Sequence, residues 1–197
     1  LLALYLWGND RYASFLEALS FAAFHLISFI TSTGFGDQDL TTWPVVAPLA
    51  LVLAGYLGGC AGSTAGGSKF IRNVIAFKIV RSDFMRMLHP WVVKEIRFQR
   101  KIVEDDIRHS VMVFFSFVVL SSVLLTLALM ATGLDLLSSF SAVAACLNVL
   151  GPGLGEVGGN FLAVTDAGIW LLSAAMILGR LEYFTVLVLV LPMFWRY

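Results

Sequence analysis

Long apolar runs alternate along this chain with short breaks rich in glycine and hydroxyl residues, and the alternation occurs twice. Leu1 to Trp7 predicts the last turns of a helix that ends at Gly8-Asn9-Asp10. Residues 14–30 then form an apolar helical run that stops at Thr31-Ser32-Thr33-Gly34-Phe35-Gly36-Asp37, a loop that no membrane-spanning helix would hold in its middle. This run is expected to dip into a bilayer and turn back. A second crossing, residues 44–80, begins at Pro44 and is expected to be broken at 58–69, because five of the ten residues from Gly58 to Gly67 are glycine. Irregular backbone at membrane depth is tolerated only where protein buries it or where it lines a watery cavity.

After a polar connector, residues 81–106, the same order returns. Residues 107–131 predict an almost unbroken span ending before Gly133. A short apolar helix, 135–147, opens at Asp135 and stops at Asn148-Val149-Leu150-Gly151-Pro152-Gly153-Leu154-Gly155-Glu156. Residues 164–191 predict the return crossing, closed by Pro192 and Arg196. The fold expected is therefore an all-α membrane protein of two tandem helix, short helix, helix units, residues 1–80 and 107–197. Two registers relate the loops. Thr33-Gly34-Phe35-Gly36-Asp37 matches Pro152-Gly153-Leu154-Gly155-Glu156, and Thr31-Ser32-Thr33-Gly34 matches Asn148-Val149-Leu150-Gly151.

Composition and charge fix the solvent and the orientation. Of 197 residues, 59% are hydrophobic and 13% charged, with a mean hydropathy of +0.87, whereas soluble domains are about a quarter charged. Ten of the thirteen basic residues lie between Lys69 and Arg108. The positive-inside rule makes residues 69–109 cytoplasmic in a multi-pass protein of the cell (inner) membrane. The opposite loops carry Asp37, Asp39, Asp135, Glu156 and Asp166 with no basic residue among them. Cys60 and Cys146 lack metal-ligand spacing and are expected to be packing residues. The opening apolar run, too short to span, resembles the end of a truncated helix rather than a signal peptide.

A short helix followed by an extended glycine loop is how cation filters are made, since glycine lets carbonyl oxygens turn to one axis and replace an ion's water shell. The helix C-terminus adds a partial negative charge, and acids at the outer mouth concentrate cations. Ordinary outside turns in a helical bundle are the alternative, weakened by the repetition of the whole pattern. Arg180, deep in the last span, needs a partner. It either repels ions below the filter and bonds carbonyls of the broken segment, or pairs with a carboxylate such as Glu182. Lys69 marks either the cytoplasmic interface or an aqueous cavity. The spacings Gly58 to Gly62 and Gly62 to Gly66 would also suit close helix packing. Gly62 to Lys69 has a weak likeness to a phosphate loop, but its Lys follows its Ser and no strand precedes it. His25 is expected to be hydrogen-bonded packing, and Trp43, Trp91 and Trp195 interface anchors.

Taken in order, Thr31 to Asp37, Gly62-Ser63-Thr64-Ala65-Gly66-Gly67, Asn148 with Gly151-Pro152-Gly153-Leu154-Gly155, and Leu178-Gly179-Arg180-Leu181-Glu182 resemble the C-terminal half of the Trk/Ktr potassium transporter family, closest to its TrkH-like membrane subunit. The resemblance covers nearly the whole chain. It implies four pore repeats around one axis, of which this chain would hold the third, lacking most of its first helix, and the fourth. It further implies potassium as the permeant ion, bound by filter residues Thr31, Ser32, Thr33, Gly34, Phe35, Asn148, Val149, Leu150, Gly151 and Gly153. Asp37 and Glu156 would stand at the outer mouth. Gly62, Ser63, Thr64, Ala65, Gly66, Gly67, Lys69 and Arg180 would form an intramembrane gate. Implied partners are the N-terminal half of the subunit, a second copy, a cytosolic nucleotide-binding regulator (TrkA-like) near residues 81–108, and membrane lipid. No nucleic acid and no organic cofactor are expected. Neither loop carries the TVGYG run of strict potassium channels and Pro152 interrupts the second, which implies fewer well-formed sites.

Two other function classes share parts of this pattern. A secondary transporter for another cation or small substrate would also use re-entrant loops and a broken helix, but usually through an inverted repeat. An intramembrane enzyme would need a Ser/His, paired-Asp or His-Glu metal constellation within a span, and the sequence offers none.

Overall fold

The computed structural model describes residues 1–60, 62–63, 65–89, 96–98 and 101–181, with isolated positions 185, 188, 194 and 195 beyond them. Seven helices are assigned among these residues: α1 (Leu2–Gly8), α2 (Phe15–Ile30), α3 (Val46–Gly55), α4 (Phe70–Leu88), α5 (Asp105–Met130), α6 (Leu136–Leu147) and α7 (Asp166–Arg180). The fold is mostly helical, as the sequence predicts. One small addition is an antiparallel pair of two-residue strands, β1 (Arg97–Phe98) and β2 (Lys101–Ile102), within the connector.

Only α5 is long and apolar enough to cross a membrane alone among the described residues. Its 26 residues reach about 39 Å at 1.5 Å per residue. Val119, Leu120, Val123, Leu124 and Leu127 all point out of the fold, as a lipid-facing helix requires. By contrast α2, with 16 residues, and α6, with 12, reach about 24 and 18 Å, short of the roughly 30 Å hydrocarbon layer. Helix starts are capped by side chains: Ser14 accepts the N–H of Leu16, Asp135 that of Ser138 and Thr165 that of Gly168.

Each unit has its own core. In the first, Leu6, Phe29, Leu51 and Val52 pack together. Leu129, Val143, Leu147, Leu172 and Ala175 fill the second. A third cluster joins Ile75 and Ile79 of α4 to Ile96, Val103 and Val111. Leu150 belongs to the first core although it lies in the second unit's loop, and Ala144 and Ala145 join it there.

Several expectations change in the structure. The helix expected to stop at residue 80 continues to Leu88, because Ile75, Ile79 and Ser82 keep one face buried past the charged residues. Trp43 is not an interface anchor: it is buried between Tyr12 and His25. Trp195 is exposed, and Trp91 lies outside the described residues. Cys146 is buried as a packing residue, but Cys60 is exposed in the glycine-rich break and does not pack. The return crossing is described as a helix to Arg180, and most of 182–191 lies outside the described residues, as does Glu182.

Candidate ion pathway

The two short helices end in the same way, and this settles the register of their loops. Backbone bonds run from Thr31 to Ile27, Ser32 to Phe29 and Thr33 to Ser28, and in parallel from Asn148 to Ala144, Val149 to Cys146 and Leu150 to Ala145. Ser32 and Val149 both take positive φ (56° and 55°), as do Gly34 and Gly151 (72° and 98°). Thr31 through Gly34 therefore corresponds to Asn148 through Gly151. A β-branched residue such as Val149 at positive φ is a costly outlier that the surroundings must enforce.

The loops face one another. A Cβ on Gly34 would sit 2.7 Å from the Leu150 carbonyl oxygen, and one on Gly151 3.6 Å from Gly34 Cα. Between them opens a cleft of about 540 Å³, walled by Ser32, Thr33 and Gly34 from one side, Val149, Leu150 and Gly151 from the other, with Arg180 at its edge. The C-termini of α2 and α6 both end at this cleft, so both partial negative charges favour a cation there. A second hollow of about 320 Å³ is lined by Gly34, Phe35, Gly36, Asp39 and Pro152 among others.

Not every expected filter residue presents a free carbonyl. Phe35 O accepts the Ser28 hydroxyl at 2.7 Å, and Asn148 O accepts the Ser32 hydroxyl at 3.2 Å. Thr31 instead turns its hydroxyl back to the Ile27 carbonyl. Gly153 lies against Val157 rather than in the cleft. Ser32 is a three-way junction, since its Oγ also accepts the Gly66 N–H at 3.2 Å.

The break between α3 and α4 is closed by its own bonds. Ser68 donates to the Tyr56 carbonyl at 2.6 Å, Asn73 to that of Leu57 at 2.8 Å, and Phe70 N–H reaches Gly59 O at 3.0 Å. Gly66 and Gly67 press on Asn148, with no room for a Cβ at Gly66 beside the Asn148 carbonyl. A Cβ at Gly62 would meet nothing within 4 Å among the described residues. Because the segment is not helical among the described residues, its glycines do not form a helix-packing stripe. Thr64 lies outside the described residues. Lys69 opens α4 with φ 59°.

Beyond the first loop, Asp37 Oδ1 stands 3.6 Å from Nε2 of the fully buried His25, whose Nδ1 donates to the Phe21 carbonyl. Asp39 caps a turn at Leu40–Thr42, and the Thr41 hydroxyl, joined by its backbone N–H, holds the Asp39 carboxyl below the usual range. The backbone N–H of Glu156 is held by Ser138 Oγ at 3.0 Å.

Sequence reasoning missed the serines behind the loops and also missed Arg72. This arginine stacks 4.4 Å over the Phe114 ring and lines a hollow with Gly67, Ser68, Leu147, Asn148 and Gly179 at the C-terminus of α6. Its signal was position: the first turn after the glycine-rich break. Gly179 abuts the Leu147 carbonyl so closely that no side chain would fit.

Composition and architecture place the chain among helical integral membrane proteins built on a duplicated unit. It belongs to the TrkH family, described as cation transport proteins, whose profile matches residues 14–197. It is 41% identical over 193 residues to the Trk system potassium uptake protein TrkH of Escherichia coli K12, covering 98% of this chain and 40% of that protein. To TrkG of the same organism it is 37% identical, covering 95% of this chain and 38% of that protein. The crystal structure of the potassium transporter TrkH from Vibrio parahaemolyticus matches with a TM-score of 0.92 and 41% identity, covering 99% of this chain and 42% of that one. The chain thus spans about two fifths of the relatives it matches.

Proposed function

We propose that this chain is the C-terminal half of a potassium uptake subunit of the inner membrane, with potassium passing along the cleft between the two glycine loops. The observation that carries this reading is the meeting of Ser32 to Gly34 with Val149 to Gly151 across one cleft, at the C-termini of two helices too short to span. Partial charges at those termini and carbonyls freed by positive-φ residues suit a dehydrated monovalent cation. The missing half would supply the facing wall. Residues 69–109 would be cytoplasmic, and the α4 end with its hairpin would receive a nucleotide-binding regulator. A second copy would complete a homodimer.

The segment Gly58 to Lys69 acts in this reading as the gate. Its Gly66 is hydrogen-bonded to the filter through Ser32 and pressed on Asn148. Moving it would release the base of both loops at once. Arg180 and Arg72 would set a positive field at the inner end, raising the barrier until the gate moves.

The decisive experiment is flux through the full-length subunit in vesicles, comparing potassium, rubidium and sodium. Preference for potassium and rubidium is expected, and equal flux of all three, or none, would end the proposal.

A further inference from the structure

We propose that Ser28, Ser138 and Ser141 are positioning residues that fix the filter loops from behind and thereby set discrimination between potassium and sodium. The proposal rests on the carbonyl-filter reading above. Serine inside an apolar helix ordinarily returns its hydroxyl to the carbonyl one turn back, as Ser20, Ser116 and Ser173 do here. Ser28 and Ser138 bond to loop backbone instead, and Ser141 does so in addition to facing the carbonyl one turn back. Ser28 donates to the Phe35 carbonyl at 2.7 Å. Ser141 accepts the Leu154 N–H at 2.9 Å and lies 3.2 Å from the Leu154 carbonyl oxygen, with the Ser138 carbonyl at the same distance as a competing acceptor. Ser138 accepts the Glu156 N–H at 3.0 Å.

All three are almost wholly buried. A buried hydroxyl costs stability unless bonded, so each bond also fixes the loop it reaches. The first loop is thus tied at the residue after Gly34, and the second three and five residues after Gly151, at Leu154 and Glu156. Sodium, being smaller, needs the oxygens to close around it, and a loop tied back resists that closure. The ties are not inherited from the duplication. Under the observed register Ser28 corresponds to Ala145, while Ser138 and Ser141 correspond to Phe21 and Phe24. Each repeat braces its loop from a different helix position and at a different loop residue, so what the two share is a buried serine bonded to loop backbone.

Ser139 supplies an internal control, being fully buried on the same helix with no hydrogen-bond partner among the described residues. The test is the potassium-to-sodium flux ratio of the full-length subunit in vesicles, with melting temperature and monodispersity measured in parallel. Ser28→Ala and Ser141→Ala are expected to lower the ratio about fivefold, Ser138→Ala less, and Ser139→Ala not at all. Ser141→Thr, which keeps the hydroxyl, should restore it. Parental ratios in Ser28→Ala and Ser141→Ala would overturn the proposal, whatever their melting temperatures. Should the alanine variants not fold, Ser28→Thr and Ser141→Thr decide: a parental ratio supports the brace and a lowered one overturns it. An unsubstituted protein with no potassium preference would instead bring down the pore reading itself.

Discussion

The two short helices end alike but lie in different surroundings. On α6, Ser138, Ser139 and every residue from Ser141 to Leu147 are buried, so the helix is enclosed beyond its first turn. On α2 only a stripe is buried, Ala18, Ala22, His25, Ser28 and Phe29, while Leu16, Phe24 and Ile27 lie open. Their loops differ in the same sense: Ser138 and Ser141 hold the second, whereas Ser28 and the buried His25 back the first. The enclosed loop is held by serines of its own unit and, through Leu150, by the core of the other. An open one leaves an apolar face for another part of the protein, in keeping with a pore whose other half is supplied elsewhere.

The largest expected effect breaks the equivalence of the two central glycines. A Cβ at Gly34 would meet the Leu150 carbonyl at 2.7 Å, but at Gly151 its nearest neighbour is 3.6 Å away. Gly34→Ser should cut potassium uptake roughly tenfold or more, a barrier change of about 1.4 kcal/mol, with loss of selectivity. Gly151→Ala, with only backbone strain to bear, should cost less. Complementation of a potassium-uptake-deficient strain by the full-length protein measures both, and equal losses would show that proximity does not decide.

Next is the junction at Ser32. One hydrogen bond is worth about 1 kcal/mol, so Ser32→Ala should shift the gate and raise rubidium flux about fivefold. Deleting Gly62 to Gly67 should raise it further. Well-folded deletion protein with unchanged flux would leave the segment a packing element.

A smaller contrast separates Thr33 from its counterpart Leu150. Leu150→Ala opens a void against Gly55 and should lower the melting temperature by several degrees, while Thr33→Ala should barely move it. Thermal melts in detergent check the pair.

The smallest effect concerns acid. The Ser138 hydroxyl, with backbone N–H groups adding to it, holds the Asp135 carboxyl below the ordinary range. Its stabilisation is complete above the unfolded value of about 3.9 and is lost as pH falls through the lowered folded value. Asp135→Asn should therefore flatten the fall in melting temperature between neutral pH and about pH 3, and an unchanged slope would remove the cap from the account.

Breaks were the legible part of this chain. Glycine and hydroxyl clusters mark where apolar helices stop, so the order of elements and the duplication follow from Thr31 to Asp37 and Asn148 to Glu156 alone. What stayed hidden needs distance. Which loop residues correspond rests on backbone bonds such as Leu150 to Ala145, and serine spacing gives no hint that Ser28 reaches Phe35. Trp43 looked like a lipid anchor because helix-end tryptophans usually are, and only the packing of Tyr12 and His25 reveals otherwise. Charge at Arg81 suggested an end to α4, while periodicity through Ser82 carried it onward.

Leu150 carries its carbonyl toward Gly34 and its side chain into the neighbouring unit's interior, against Gly55. The halves of the duplication are therefore not interchangeable modules. A chimera exchanging one would leave a hole in the other, and during biosynthesis the earlier unit must wait for the later one before its interior is complete.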